Sequence, residues 1–279
     1  QDSPKTKAPP LGEQLKQVAA KLDGEVAVSI VHLETGKSIG HVADKRLPLF
    51  SVYKLPLAVA VLKEVEAGRL RLDQTVNITP ADVTAGVGAN AERWKALPAD
   101  FTLRQLLEFS LMESDNTSAD KMIALLGGPA ALTKRLRAAG VEDIEIRGGT
   151  REVLNNPEHP NRASAKAVTD LLAALHTGRL LRPAEKAVLW DFLARARTGL
   201  QRLRGLLPPG TFVVDKTGTG RAGTATNDVG IITLPDNRGH LAIAVFVIGS
   251  KRPLAKQERA IAEIAQLAFA AHAPAPDNR

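Results

Sequence analysis

The stretch LFSVYKLPLA, residues 49–58, places a serine and a lysine three positions apart in an otherwise apolar run. Proline is tolerated in a helix only near the first turn, so Pro56 predicts that a helix begins close to Ser51. Residues three apart share a helix face, so the Ser51 hydroxyl and the Lys54 amine should meet. A partly desolvated lysine can accept the proton of a serine nucleophile. The alternative is a surface serine and a lysine that snorkels from a core helix, and this stretch alone favours it.

Two later stretches carry polar residues between predicted elements. MESDNTSAD (112–120) places Ser114, Asp115 and Asn116 between two helical segments, where they form an N-cap cluster if taken singly. VVDKTGTG (213–220) is β-rich, and it is expected to bring Lys216 to the end of a strand. Its small residues would let a ligand lie along the strand edge and pair with the backbone.

Composition excludes several classes of function. The net charge is +7, but the basic residues are scattered and aromatic residues make up 4%, so no nucleic-acid partner is expected. No apolar run is long enough to span a membrane. The chain has no cysteine, and its six histidines show neither HxH nor HExxH spacing, so no metal site and no cofactor are expected.

The order of helical and strand patterns predicts a discontinuous α/β fold. Residues 11–22 have helical spacing, and 25–42 read as a hairpin around a Thr-Gly turn. Helical patterns follow to about residue 195, strand patterns return from 211, and a helix closes the chain. We therefore predict an α/β domain from residues 1–48 and 196–279 around an all-helical domain from residues 49–195.

The motifs S-x-x-K, S-D-N and K-T-G occur here in that order, and together they resemble those of the class A serine β-lactamases. The resemblance covers about residues 12–272 and is nearest the PER-type extended-spectrum branch. Further similarity lies in GGPAAL, GLLPPGTFVVDKTGT and ATNDVGIITLPD. It implies an antiparallel sheet flanked by N- and C-terminal helices, with the active site between the sheet and the helical domain.

The resemblance assigns the acylation chemistry to matching residues. Ser51 is similar to the acylated nucleophile and Lys54 to the neighbour that accepts its proton. Ser114 resembles the hydroxyl that passes a proton to the departing β-lactam nitrogen. The backbone N–H groups of Ser51 and Thr219 would form the oxyanion hole.

The resemblance also assigns substrate binding. Asn116 would hold the substrate's side-chain amide, and Lys216 and Thr217 would meet its carboxylate, while Gly218 and Thr219 of the same strand would also bind the substrate. An arginine is expected to assist, because a guanidinium binds carboxylates well. Arg202, fourteen residues before Lys216, matches one family position, with Arg204 as the near alternative and Arg221 as a weaker one.

Turnover requires a base that activates water, and the aperiodic loop at about residues 147–163 offers one. The resemblance implies this role for Glu152, with Asn156 four residues later, and a coupled titration of Glu152 with Lys54. This Ω-type loop is shorter than is usual in the family. Thr150 and Asn161 stand where an Arg–Asp ion pair is expected, which predicts a less rigid loop.

Two further departures concern the mouth of the pocket. The aromatic wall often found opposite the nucleophile is absent, since TAGVGANAERW offers only Trp94, out of register. Gly218 and Gly220 are then predicted to admit bulky oxyimino cephalosporins. Phe50 replaces a cysteine that some relatives use in a disulfide, so packing must hold this site.

The leading hypothesis is a β-lactam hydrolase that gives antibiotic resistance and acts on penicillins and cephalosporins, extended-spectrum ones included. The alternatives are a penicillin-binding D,D-peptidase or a β-lactam sensor domain, which acylate without efficient turnover, and Glu152 argues against both. A monomer is expected, without a membrane partner. The polar start QDSPKTKAPP lacks a signal core, and we expect a periplasmic or secreted mature chain.

Overall fold

The computed structural model of the chain describes residues 9–84 and 91–272. The first part of the described chain contains α1 (Leu11–Ala19), β1 (Glu25–His32), β2 (Ser38–His41), β3 (Arg46–Pro48), α2 (Lys54–Glu66), β4 (Thr75–Ile78), β5 (Ala99–Thr102), α3 (Leu103–Met112) and α4 (Asn116–Leu125). The second part contains α5 (Pro129–Ala138), β6 (Ile144–Glu145), α6 (Thr150–Asn155), β7 (Arg162–Ser164), α7 (Ala165–His176), α8 (Pro183–Ala194), β8 (Val213–Thr219), β9 (Ala225–Thr233), β10 (His240–Ile248) and α9 (Leu254–His272).

The main sheet joins the two ends of the chain. Its strand order is β2-β1-β10-β9-β8, and every neighbouring pair is antiparallel. The first strand of the sequence thus pairs with the last, as the predicted discontinuous unit requires. The remaining strands form a three-stranded sheet, β3-β7-β6, and a β4-β5 pair.

Both faces of the central strands are covered, which explains why HLAIAVFVI in β10 is almost continuously apolar. Side chains alternate between the faces of a strand. Val245 and Val247 pack in one core with residues of α1 and α9, whereas Ala244 and Phe246 pack in the other with residues of α2 and α7. The sheet therefore lies between two helical layers, and the predicted fold class is confirmed.

Helix α2 is the centre of the helical part. Residues 54–62 are all buried, so the helix has no polar stripe, as is typical of a helix enclosed by others. Helices α3, α4, α5 and α8 pack around it. A 3₁₀ turn, Phe50–Tyr53, precedes α2 and lies against β8 and β9, which places Ser51 where the helices meet the sheet.

Two local predictions need correction. The stretch 147–163 is not entirely loop, since α6 lies within it and β7 begins at Arg162. A helix of 6 residues is too short to show periodicity in the sequence. Lys216 lies in the middle of β8 opposite Val229, because the strand continues to Thr219. The proposed domain boundaries stay a prediction.

No helix in the described ranges combines the length and the apolar character that crossing a membrane requires.

Candidate active site

Ser51 and Lys54 lie side by side at the start of α2. The Nζ atom of Lys54 donates a hydrogen bond to Ser51 Oγ at 3.3 Å. Lys54 is 0% exposed, so its amine does not snorkel to solvent. The structure therefore shows the juxtaposition that the motif predicts, with a desolvated amine beside a serine hydroxyl.

The backbone before Ser51 is held in an unusual conformation by close packing. Phe50 has φ of 48°, a region that residues with a side chain rarely occupy. A Cβ added to Gly218 would lie 2.6 Å from the Leu49 carbonyl oxygen, and one added to Gly220 would lie 2.8 Å from the Ala225 nitrogen. These glycines therefore make room for the protein's own backbone, and their effect on bulky substrates stays a prediction.

The loop between α3 and α4 supplies the next wall. Ser114 has φ of 60°, and Lys54 Nζ donates to its carbonyl oxygen and lies 3.3 Å from its Oγ. Lys54 Nζ also lies 2.7 Å from Asn116 Oδ1. Asp115 caps α4 by accepting a hydrogen bond from Ser118 N at 2.7 Å. The N-cap interpretation thus holds for Asp115, while its two neighbours face Lys54.

Lys216 completes the cluster from the sheet side. Its Nζ donates to Ser114 Oγ at 3.0 Å and to the Thr217 carbonyl oxygen at 3.0 Å. The Ser114 hydroxyl therefore lies between the amines of Lys54 and Lys216. Three motifs that are far apart in the sequence meet within hydrogen-bonding distance at this hydroxyl.

Burial lowers the pKa of both lysines, but to different extents. Burial, and then the charge of Lys216, lower the pKa of Lys54 well below its usual value, although Asp115 and Asp120 oppose this. Burial lowers the pKa of Lys216 to about 8, against the attraction of Asp215 and Asp228. The lowered pKa favours the neutral form of the Lys54 amine, which can accept a proton, while the Lys216 ammonium is charged below its pKa of about 8.

The three candidate arginines occupy different surroundings. Arg202 is 3% exposed, and its Nη2 donates to Thr219 Oγ1 at 2.8 Å, at the end of β8. Arg204 instead donates to Asp215 Oδ1 at 2.6 Å, while Arg221 is exposed. Adjacent strand residues point to opposite faces, so Asp215 directs Arg204 away from Lys216. Of the three, Arg202 is the one that contacts the K-T-G strand next to the cluster, through Thr219, and its role in binding a carboxylate stays a prediction.

Glu152 and Asn156 are not joined to this cluster. Glu152 is exposed, and its Oε2 accepts a hydrogen bond from Gly149 N at 2.9 Å, because it is the third residue of α6 and caps that helix. Asn156 is also exposed, and its Nδ2 donates to the Glu152 carbonyl oxygen at 3.2 Å. Neither side chain is hydrogen-bonded to Ser51 or Lys54 among the described residues, so their roles stay a prediction.

Asp120 anchors the start of α6 and was not singled out from the sequence. Its carboxylate accepts hydrogen bonds from Thr150 N at 2.6 Å and Arg151 N at 3.0 Å. It also accepts from the hydroxyls of Tyr53 at 3.3 Å and Thr84 at 2.8 Å. Asp120 lies four residues after Asn116 and therefore on the same face of α4. This spacing was the sequence signal that could have identified Asp120 as part of the site.

Thr150 brings the loop to the edge of the cluster. Its hydroxyl donates to Asn116 Oδ1 at 3.2 Å and lies 3.0 Å from the Tyr53 hydroxyl. The first residue of α6 therefore touches the residue that binds Lys54. Glu152 follows two residues later in the same turn.

Asn161 braces the loop without an ion pair. It is 3% exposed, and its Oδ1 accepts hydrogen bonds from Arg147 N at 2.7 Å and Gly148 N at 3.1 Å. Its Nδ2 donates to the Gly148 carbonyl oxygen at 2.9 Å. Backbone hydrogen bonds thus take the place of the expected Arg–Asp pair, and the loop is tied down at both ends.

Trp94 supports the site from behind. Its Nε1 donates to Asp115 Oδ2 at 3.0 Å, and its ring packs edge-on against Phe101 and Phe109. Trp94 therefore does not form an aromatic wall of the cleft, which agrees with the prediction that it is out of register. Residues 85–90 of the stretch TAGVGANAERW lie outside the described residues.

The fold and this site define a class of protein, the serine hydrolases in which a buried lysine adjoins the nucleophile. The family model described as the beta-lactamase enzyme family matches residues 10–272. The chain belongs to this family, and it is a class A serine β-lactamase.

Individual relatives agree with that assignment. The chain is 34% identical to the extended-spectrum beta-lactamase PER-1 of Pseudomonas aeruginosa, over 94% of this chain and 87% of that protein. It is 30% identical to beta-lactamase VEB-1 of the same organism, over 92% and 88%. The crystal structure of a beta-lactamase from Chitinophaga pinensis superposes with a TM-score of 0.88 at 34% identity, covering 94% of this chain and 98% of that one. The predicted resemblance is confirmed.

Proposed function

We propose that this enzyme opens β-lactams through an acyl-enzyme on Ser51 and that the loop after Gly149 carries the deacylating base. The observation that carries the proposal is the position of the Lys54 amine, 3.3 Å from both Ser51 Oγ and Ser114 Oγ. One buried amine can then take the proton of the nucleophile and return it through Ser114.

These groups account for every proton that is transferred in acylation. Ser51 Oγ attacks the β-lactam carbonyl carbon while its proton passes to neutral Lys54, and the backbone N–H groups of Ser51 and Thr219 stabilise the oxyanion. The carbon–nitrogen bond then breaks, and the nitrogen receives the Ser114 proton, which Lys54 replaces. Lys216, Thr217 and the Arg202–Thr219 pair bind the substrate carboxylate, and Asn116 binds its side-chain amide.

Deacylation is assigned to Glu152 with Asn156. The supporting contact is the hydrogen bond from the Thr150 hydroxyl to Asn116 Oδ1, which joins the first residue of α6 to the edge of the cluster. Glu152 would exchange its hydrogen bond with Gly149 N for one to a water, and that water would attack the ester. The substrates are penicillins and cephalosporins, extended-spectrum ones included, in a monomeric enzyme that acts in the periplasm or outside the cell.

A nitrocefin time course combined with intact-protein mass spectrometry tests this function. The wild type is expected to turn over steadily, whereas Glu152→Ala is expected to give a burst and to accumulate the acyl-enzyme. General base catalysis is worth about 10²–10⁴-fold, so the steady-state rate should fall by that factor. Glu158→Ala, which removes another exposed carboxylate of the same loop, is the matched control. A burst without turnover in the wild type would instead indicate a D,D-peptidase or sensor, and full turnover in Glu152→Ala would exclude this base.

The pKa of Lys216 predicts a pH limit on substrate binding. Its ammonium is charged below its pKa of about 8 and neutral above it, so kcat/KM for benzylpenicillin should be level from pH 6.5 to 7.5. Above pH 8, kcat/KM should fall by about tenfold per pH unit, because it follows the ionisation of the free enzyme. The fall should arise mainly from a higher KM, because the charged ammonium is assigned to substrate binding. In Lys216→Arg the guanidinium stays charged, so the alkaline decline should vanish. A wild-type profile that is flat to pH 9.5 would contradict this role.

A further inference from the structure

Three side chains that can ligate a metal converge at the end of the main sheet opposite to Thr219. They are Glu34 in the turn after β1, His176 at the end of α7 and His240 at the start of β10. One ligand atom from each lies within 4.8 Å of the other two. None of the three belongs to a motif of the catalytic cluster.

The individual distances lie on either side of the spacing that a small ion requires. Glu34 Oε1 lies 2.7 Å from His240 Nδ1, a hydrogen bond, and 3.7 Å from His176 Nε2. Ligands at about 2.0–2.2 Å from a tetrahedral Zn²⁺ are about 3.4 Å apart, so an ion would replace the Glu34–His240 hydrogen bond and draw His176 slightly closer. The centroids of the His176 and His240 rings are 4.4 Å apart, and the two ring planes are tilted by 50° to each other.

The backbone is shaped to hold the carboxylate. Gly239 has φ of 102°, and a Cβ at this position would overlap the Glu34 carboxylate. Glu34 Oε2 accepts a hydrogen bond from His240 N at 2.8 Å, which leaves Oε1 directed at the two imidazoles. The carboxylate is therefore fixed by the backbone of Gly239 and His240, independently of the histidine rings.

We propose that Glu34, His176 and His240 bind one Zn²⁺ ion, with water at the fourth position. Two imidazoles and a carboxylate form a ligand set that zinc accepts. The absence of HxH and HExxH spacing excluded only ligands close together in the sequence, whereas here the fold supplies them from three elements. The ion would tie the β1–β2 turn, α7 and β10 together, and it would stabilise the folded chain because the unfolded chain lacks the site.

The test is isothermal titration of EDTA-treated protein, without a histidine tag, with ZnCl₂. The wild type is expected to bind one equivalent, and zinc is expected to raise its melting temperature. His176→Gln and Glu34→Gln should each weaken the affinity at least tenfold. His159→Ala, which removes an exposed histidine elsewhere, should bind like the wild type. Unchanged nitrocefin hydrolysis in each variant would show that the chain is folded.

Cobalt(II) provides a second readout, because its visible absorption reports the ligand set directly. Strong bands from a four-coordinate site are expected with the wild type and not with His176→Gln. The proposal is wrong if the wild type shows no saturable zinc binding. It is equally wrong if His176→Gln and Glu34→Gln retain wild-type affinity.

Discussion

Replacing Lys54 with alanine is expected to slow acylation of Ser51 by about 10²–10⁴-fold, the usual contribution of a general base. Among the described residues, Lys54 Nζ is the side-chain group that hydrogen-bonds to Ser51 Oγ, and it also contacts both oxygens of Ser114 and Asn116 Oδ1. Stopped-flow mixing with nitrocefin, followed by mass spectrometry of the quenched protein, measures the acylation rate separately from turnover.

Lys63→Ala is the matched control for Lys54→Ala. Lys63 lies on the same helix, but its side chain is 39% exposed and pairs with Glu66. Its loss should leave acylation unchanged. If Lys54→Ala acylates within threefold of the wild type, Lys54 does not act as the base, and the proton must leave Ser51 by another route.

Asp120→Ala is expected to destabilise the protein by about 2–4 kcal/mol and to slow deacylation more than acylation. The change leaves the hydroxyl of buried Thr84 and the partly buried N–H of Thr150 without their acceptor, at about 1–3 kcal/mol for each group shielded from water. The N–H of Arg151 also loses its acceptor, but it is exposed and can bind water instead. The start of α6 should then detach, and Glu152 moves with it. Urea denaturation measures the stability, and the fraction of acyl-enzyme at steady state measures the shift in rate-limiting step.

Asp120→Asn separates the charge of Asp120 from its geometry. The amide keeps one acceptor oxygen, so an intermediate loss of stability and a smaller accumulation of acyl-enzyme are expected. Asp170→Ala, which breaks an exposed pair with Lys166, should change neither quantity. An Asp120→Ala enzyme that deacylates at the wild-type rate would show that the loop does not depend on this anchor.

The predicted fold and the Ser51–Lys54–Ser114–Lys216 cluster agree with the structure because each element has a strong local signal. Pro56 marks the helix start, the apolar run of β10 indicates a strand covered on both faces, and the turn residues at Ser114–Asn116 separate α3 from α4. Identity and order of the three motifs carried the family assignment. Spacing within a helix or strand was enough to place each side chain on a face.

The loop and the glycines of β8 could not be predicted in the same way. Whether Glu152 faces the nucleophile or caps α6 depends on a helix of 6 residues, for which no periodic signal exists. From the sequence, Gly218 predicts open space in the pocket. In the structure, the Leu49 carbonyl oxygen lies where a side chain at this position would be. These outcomes depend on how closely two distant segments approach each other.

By itself, the sequence determined the class of protein, the order of its elements and the candidate groups for acylation, because those features are encoded over short spans. Only the tertiary structure decided which residues that are distant in the sequence become neighbours. Burial in it lowers the pKa of Lys216, and it joins Arg202 to Thr219, Arg204 to Asp215 and the start of α6 to Asp120. It also gathered Glu34, His176 and His240 from three separate elements. Desolvation and long-range contact are properties of the packed chain, and no local spacing encodes them.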